Sequence, residues 1–296
     1  MSEVVVGVIG GSGLYEIDGI EELDEIAVDT PFGTPSDAYI TGRLEGVRCV
    51  FLPRHGRGHR FLPSEVNYRA NVWGLKKLGV QHVLSVSAVG SLRESIEPGH
   101  MVCPDQFIDR TRGRESTFFG DGVAGHVQFG DPVEENLRQV LLASLGEVGA
   151  VHHDGGSYVC IEGPTFSTRA ESELYRSWGC SIVGMTNLPE SRLAREAELA
   201  YATLALCTDY DCWHEGHDEV SVESVIATIQ RNVNTAKDVI RVLCRRLGQL
   251  GPVEWPSHSA LAGGMAVMTR PEIISEESRE RMDLLLGKYL WPEREA

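Results

Sequence analysis

Short apolar runs rich in β-branched residues alternate with stretches of helical spacing, and most of the runs stop on a polar or glycine-bearing cluster. VVVGVIGG ends on Gly10, Gly11, Ser12 and Gly13, which predicts a strand followed by a tight loop. VRCVFLPRHG predicts a second strand, ending on Pro53, Arg54, His55 and Gly56. A helix is expected from Pro63 to Leu78, capped by Ser64, with Asn67 and Asn71 four apart and Trp73 on its apolar face. HVLSVSAVGSL then predicts a third strand that runs into Ser87, Ala88, Val89 and Gly90.

The middle of the chain is less regular. Residues 110–134 carry RTRGRES, FFGDG and AGH and predict a long excursion of loop, a length that usually signals function or a contact surface. A helix is expected over 134–146. After it, GGSYVCIEGPTFSTRAESELYRSWG predicts a strand, a turn at Gly163-Pro164 and a helix carrying Glu171. CSIVGMTNLPE predicts a strand whose end presents Met185 and Thr186, and EAELAYATLALCTDYD supplies a helix end and the last central strand. Residues 220–246 have the spacing of a long helix.

The tail differs in texture, because 251–271 hold Gly-Pro, Trp-Pro, Gly-Gly and Arg-Pro pairs and read as wrapped loop. EESRERMDLLLGKYLW then predicts an amphipathic helix whose Met282, Leu285 and Leu286 need cover, from the same domain or from a sister subunit. There is no internal repeat and no flexible linker. The expectation is an α/β fold: one domain over 1–250 with a central mixed β-sheet flanked by helices, and a C-terminal loop and helix extension over 251–296.

Composition narrows the class. The chain has 296 residues, 42% of them apolar and 24% charged, which suits a globular protein and excludes a disordered or fibrous one. A formal charge of -16 disfavours nonspecific attraction to nucleic acid or anionic lipid. The seven cysteines, at 49, 103, 160, 180, 207, 212 and 244, form no CxxC and no secreted framework, and read as buried thiols of a reducing compartment. No basic leader and no stretch of membrane-spanning length stands in the sequence, so a cytoplasmic location and no membrane partner are expected.

The chemistry gathers at the ends of the apolar runs. LALCTDYDCW closes on Thr208, Asp209, Tyr210 and Asp211, setting two carboxylates two residues apart where a buried strand gives out. Dry, unpaired carboxylates are costly, yet no lysine or arginine lies between Tyr201 and Glu219. A ligand with a ring nitrogen and an exocyclic amine would suit the pair; a strand end fading into a solvent loop is the plain alternative. The Gly-Gly-Ser-Gly turn turns backbone N–H groups outward beside the Ser12 hydroxyl, an anion cradle, although it lacks the GxGxxG dinucleotide fingerprint. Arg54 offers a fork that matches phosphate and His55 a further bond, while each would serve equally as a structural partner. Ser87, the Ala88 N–H and Thr186 complete a set of neutral donors able to hold phosphate without a metal. No short metal motif and no GxSxG elbow occurs, so neither a metal centre nor a hydrolytic triad is expected.

The segments GVIGGSGLY, DTPFGTPSDAY, PRHGRGHRFLPSEVNYRANVW, SAVGSLRESIEPG, DQFIDRT, CIEGPTFSTRAES, GMTNLPE and CTDYDCW follow one another over residues 4–258. In that order they resemble the S-methyl-5'-thioadenosine phosphorylases, within the trimeric purine nucleoside phosphorylase superfamily. The resemblance implies a phosphorylase-type α/β domain that splits methylthioadenosine with inorganic phosphate into adenine and 5-methylthioribose 1-phosphate. It implies phosphate as co-substrate and no organic cofactor. It further implies phosphate ligands at Ser12, Arg54, His55, Ser87, Ala88 through its backbone, and Thr186. Met185 would pack under the ribose and Phe166 would face the base, while Thr208, Asp209 and Asp211 would hold the adenine edge. Val222, Val225 and Ile226 would line a 5'-methylthio pocket, and His126 would be lent by a neighbouring subunit. Gly184 departs from relatives with asparagine there, leaving more room and one fewer donor beside the sugar.

That resemblance implies a division of labour. Asp209 is the expected general acid toward the purine N7, made protonated by partial burial beside Asp211, and Asp211 the group that orients it. Phosphate on the opposite side of C1' supplies the nucleophile and the counter-charge. A 6-oxopurine nucleoside or S-methyl-5'-thioinosine phosphorylase is the alternative, and a non-enzymatic nucleotide-binding protein a third. The expected assembly is a homotrimer or a hexamer built as a dimer of trimers.

Overall fold

The apolar runs lie side by side in a sheet, most of them parallel, so the polar clusters that end them fall on the same side of it. The computed structural model describes residues 3–11, 14, 17–214, 222–263 and 266–291, and of residues 222–227 it describes the backbone alone. In chain order the elements are β1 (Val5–Gly10), β2 (Glu21–Ile26), β3 (Tyr39–Leu44), β4 (Val47–Pro53), α1 (Tyr68–Lys77), β5 (His82–Ser91), β6 (Met101–Cys103) and β7 (Gln106–Arg110). There follow α2 (Glu135–Val148), β8 (His152–Asp154), β9 (Ser157–Ile161), α3 (Arg169–Ser177), β10 (Ile182–Gly184), α4 (Asn187–Glu196), β11 (Ala200–Asp209), α5 (Val222–Leu250) and α6 (Glu276–Leu290).

The sheet is mixed, as expected. β1 runs parallel to β4 and to β5, and β5 runs parallel to β11, while β10 pairs antiparallel with the end of β5. β5 is the branch point: its pairing with β1 ends at Ser85, and beyond that it takes β10 at Gly90 and Ser91. β4, β5, β10 and β11 release polar residues around this fork. Open α/β sheets bind ligands where strand order splits, since diverging connections leave a crevice.

Alternation along β1 feeds two cores. Val4, Val6 and Val8 face α2 and α5, whereas Val5 and Ile9 join the layer that contains α1, α4 and α6. Met282, Leu285 and Leu286 of α6 are buried in that second layer within their own chain. Of the two covers open to that helix, the same domain is the one used, so a ring of subunits is not required to bury it. Burying such side chains contributes roughly 1.5–3 kcal/mol each, enough to hold the extension down.

Several local expectations shift. The first helix begins at Tyr68, and its cap is Asn67, which accepts from the Ala70 N–H, not Ser64. The helix expected over 134–146 spans Glu135–Val148, and the one expected over 220–246 runs on to Leu250. β2 reads EELDEI and is exposed, so its polar face hid it from a search for apolar runs. The 110–134 excursion is tied down on its own chain: Arg114 donates to the Met185 and Leu188 carbonyls, and the Phe118 N–H and Thr117 hydroxyl donate to Glu196. Its length therefore has a use inside the protomer. All seven cysteines are unpaired and Cys212 alone is half-buried, with Cys49 and Cys244 Sγ 3.5 Å apart. Among the described residues no helix is long and apolar enough to cross a membrane.

Candidate active site

Arg54 leaves β4 directly into the interior, 2% exposed, and its charge is met by Glu190 of α4. Nε donates to Glu190 Oε2 at 2.8 Å and Nη2 to Oε1 at 3.0 Å, with Nη2 also on Ser85 Oγ and Nη1 on the Val86 carbonyl. Glu190 Oε1 accepts from the Ser85 and Tyr201 hydroxyls as well. Burial alone would lower the Arg54 pKa, but Glu190 outweighs it and raises it. One Nη1 hydrogen at most is left for an anion. Arg54 is thus chiefly the internal partner of Glu190, the structural alternative that the sequence left open beside a phosphate role.

His55 is half-buried, its Nδ1 2.9 Å from the Phe61 carbonyl and its ring stacked on His59 with centroids 4.3 Å apart. A carbonyl only accepts, so Nδ1 carries the hydrogen. Burial, then the Arg54 charge, pushes the His55 pKa down to about 4. The neutral ring therefore offers Nε2 as an acceptor, suited to the protonated oxygen of monohydrogen phosphate, where the sequence suggested a donor.

Ser87 and Ala88 sit near the end of β5, the first buried and the second its exposed neighbour. Ser87 Oγ donates to Asn187 Oδ1 at 3.2 Å, and Asn187 Nδ2 donates to Thr203 Oγ1. Thr186 caps α4 without a side-chain capping bond, and its hydroxyl is buried with no partner among the described residues. An orphaned buried hydroxyl at a strand-to-helix turn is costly unless a ligand meets it. Arg114 fixes the same turn from behind, donating to the Met185 carbonyl at 2.7 Å and the Leu188 carbonyl at 2.8 Å.

On the base side, Asp209 Oδ1 accepts from the Asp211 N–H at 2.8 Å and Oδ2 from the Thr208 hydroxyl at 2.7 Å. A Cβ on Gly90 would lie 3.0 Å from Asp209 Oδ1, so the absence of a side chain there makes room for the carboxylate. Asp211 stands at φ 53°, and its Oδ2 is buried with no hydrogen-bond partner among the described residues. Burial raises the Asp211 pKa, the Ser172 and Ser167 hydroxyls oppose the rise, and the charge of Asp209 adds to it. The turn carries the Asp211 side chain inward, while Thr208 and the Asp211 N–H supply donors to Asp209. Cys212 Sγ lies 3.3 Å from the Ser167 carbonyl and joins this turn to the segment carrying Phe166.

Phe166 is 78% exposed among the described residues. His126 is exposed and lines a separate cavity of about 950 Å³ with Gln106, Asp131, Glu134 and Arg195, a cavity that contains none of the phosphate-side or base-side residues. The single chain does not bring His126 to the site. Ser12 and the side chains of Val222, Val225 and Ile226 lie outside the described residues. Gly184 does not leave room: a Cβ there would fall 2.0 Å from the Tyr158 hydroxyl. Glu190, Asn187, Arg114 and Tyr158 were not singled out from the sequence, since each acts through partners remote along the chain. Among the described residues no group of three or more His, Cys, Asp or Glu side chains could hold a metal ion.

The profile of the Phosphorylase superfamily matches residues 5–245. The chain belongs to the phosphorylase superfamily. Within it, this phosphorylase is 58% identical over 289 residues to the S-methyl-5'-thioadenosine phosphorylase of Geobacter sulfurreducens, covering 97% of this chain and 100% of the relative. It is 53% identical to the S-methyl-5'-thioadenosine phosphorylase of Synechocystis, covering 99% and 90%. The crystal structure of a methylthioadenosine phosphorylase from an antarctic soil metagenomic library superposes with a TM-score of 0.92 at 45% identity, covering 97% of this chain and 100% of that one.

Proposed function

We infer that this chain catalyses the phosphorolysis of S-methyl-5'-thioadenosine to adenine and 5-methylthioribose 1-phosphate, a pentosyl transfer in methionine and purine salvage. The observation that carries this reading is the carboxylate pair facing a hydroxyl-lined strand fork, in a chain that aligns end to end with relatives of that activity. The C1'–N9 bond breaks with its electron pair passing to the purine, and a phosphate oxygen forms the new bond to C1'. Asp209 stands toward N7 as the proton donor, with Asp211 fixing it through the 2.8 Å backbone bond and facing the exocyclic amine. Phosphate rests on Ser12, Ser87, the Ala88 N–H and Thr186, with His55 accepting from its protonated oxygen and Arg54 contributing positive potential from below. Met185 and Phe166 frame the ribose and base, Thr208 completes the base edge, and Val222, Val225 and Ile226 line the 5' pocket. We take 1–250 as the phosphorylase unit and 251–296 as its extension.

The decisive experiment incubates the purified protein with methylthioadenosine, with and without orthophosphate, and measures adenine. Phosphate-dependent release is expected; release without phosphate, or higher kcat/KM on inosine or methylthioinosine, overturns the reading.

We further place the chain in a homotrimer or a dimer of trimers, with His126 at the 5' side of a neighbour's substrate. Exposed His126, remote from its own site, and uncovered Phe166, Leu174 and Trp178 support this. Light scattering tests it, and a fully active monomer is incompatible. Mixed trimers of His126→Ala and Asp209→Asn chains should regain activity through complementary sites, and no regain in verified mixtures counts against the shared site.

A further inference from the structure

Behind the phosphate side lies a phenol that the roles above do not use. Tyr158 of β9 is fully buried, and its hydroxyl has no hydrogen-bond partner among the described residues. β9 and β10 run parallel with Tyr158 beside Ile182 and Cys160 beside Gly184, so Gly184 lies two residues along on the face Tyr158 occupies. A Cβ built on Gly184 would fall 2.0 Å from the Tyr158 oxygen and 2.6 Å from Cζ. The phenol fills the space of the missing side chain.

The same Cβ would lie 3.2 Å from Val89 Cγ1, so the phenol stands against β5, two residues from Ser87. Burial pushes the Tyr158 pKa up, while the Thr186 backbone and the Ser87 hydroxyl pull it the other way. Ser87 has one proton, now spent on Asn187 Oδ1 over a long 3.2 Å bond. The Thr186 hydroxyl is equally unused among the described residues. A dry phenol and a dry threonine hydroxyl around a serine with a weak bond form an incomplete network, which an anion can complete.

We propose that Tyr158 is a positioning residue for phosphate: on binding, its O–H donates to Ser87 Oγ, the Ser87 proton turns from Asn187 to a phosphate oxygen, and Gly184 is bare because the phenol occupies its side-chain space. Tyr158 has no contact with solvent at its oxygen and acts through Ser87. The chain of two hydroxyls polarises the outer one, strengthening its bond to the anion.

This rests on the phosphorolysis reading, so one measurement bypasses turnover: calorimetric titration of inorganic phosphate into wild type and Tyr158→Phe. The phenylalanine variant keeps the ring and removes only the oxygen. Its phosphate affinity is expected to fall roughly 3- to 10-fold, the equivalent of one hydrogen bond, with phosphate KM rising in step and methylthioadenosine KM nearly unchanged. Unchanged phosphate affinity, or equal rises in both KM values, overturns the proposal, whereas a wild type that binds phosphate but releases no adenine overturns the phosphorolysis reading alone. Gly184→Ala should lower Tm by collision with the phenol. Gly184→Ala/Tyr158→Leu should recover Tm while phosphate affinity stays low, and recovery of affinity in that double variant also overturns the proposal.

Discussion

The proposed phosphate end and the proposed base end of the site are built by opposite means. At the phosphate end, Arg54, Glu190, Ser85 and Tyr201 form a buried network in which four donor atoms converge on one carboxylate, drawn from β4, β5, α4 and β11. At the base end, Asp209 is held by its own neighbours Thr208 and Asp211, on a turn with a residue at positive φ. The first end derives its geometry from the core and cannot move without disturbing it. The second is local and rests on few bonds, so a change of base specificity is possible there without loss of the fold. Preorganised donors serve a charged co-substrate, because water driven from them before binding need not be displaced during reaction.

The largest effect should come from breaking the buried network. Glu190→Ala strands the Arg54 charge in the interior and should cost about 3–5 kcal/mol of stability, read by denaturant unfolding. A loss under 1 kcal/mol would mean that Arg54 finds solvent and that the phosphate end is softer than described. At the base end the loss should fall on chemistry and not on stability. Asp209→Asn should reduce methylthioadenosine turnover by at least ~100-fold with Tm nearly unchanged, while 6-oxopurine substrates lose less, since an amide can donate to an oxo group. Equal losses on both substrates would remove base reading from Asp209. A finer probe is Gly90→Ala, whose methyl would press on Asp209 Oδ1 at 3.0 Å. It should lower kcat/KM for methylthioadenosine by roughly 10-fold, a misplacement effect, and leave phosphate KM unchanged; a raised phosphate KM would show the two ends to be coupled.

The smallest effect is on pH. Burial, then His258, pushes the His82 pKa down to about 3, and burial, then Arg54, pushes His55 down to about 4, against 6.5 for the ordinary side chain. Below 6.5 the unfolded chain binds protons that the folded chain does not, so this contribution to stability is complete above 6.5 and is lost as pH falls toward 4 and then 3. Tm should drop between pH 7 and pH 5, and less steeply in His82→Phe. Parallel curves would show that His82 does not carry the acid sensitivity.

Much of this architecture stood in the sequence because it is periodic or local. Alternation in VVVGVIG and HVLSVSAVGS marks strands, and a polar cluster after each apolar run marks where strands surface. β2 escaped because an exposed edge strand has no buried face to impose the pattern. The Asp209 and Asp211 pair was visible since its members, and the donors that hold Asp209, lie within four consecutive residues. The branching of the sheet at β5 was not visible, nor was the occupant of the space beside Gly184.

What the sequence determined by itself is most of the long central strands and helices, the ends at which polar residues collect and the family to which those motifs belong. Tertiary structure decided which groups are spent on one another: Arg54 on Glu190, 136 positions away, and Arg114 on the Met185 carbonyl, 71 away. It also buried the Asp211 carboxyl, which raises its pKa, and closed the gap at Gly184 with Tyr158. The reason is that periodicity reports only which face of an element is apolar. Burial, charge pairing and the direction of a hydrogen bond depend on the element packed opposite, and that neighbour is set by the fold.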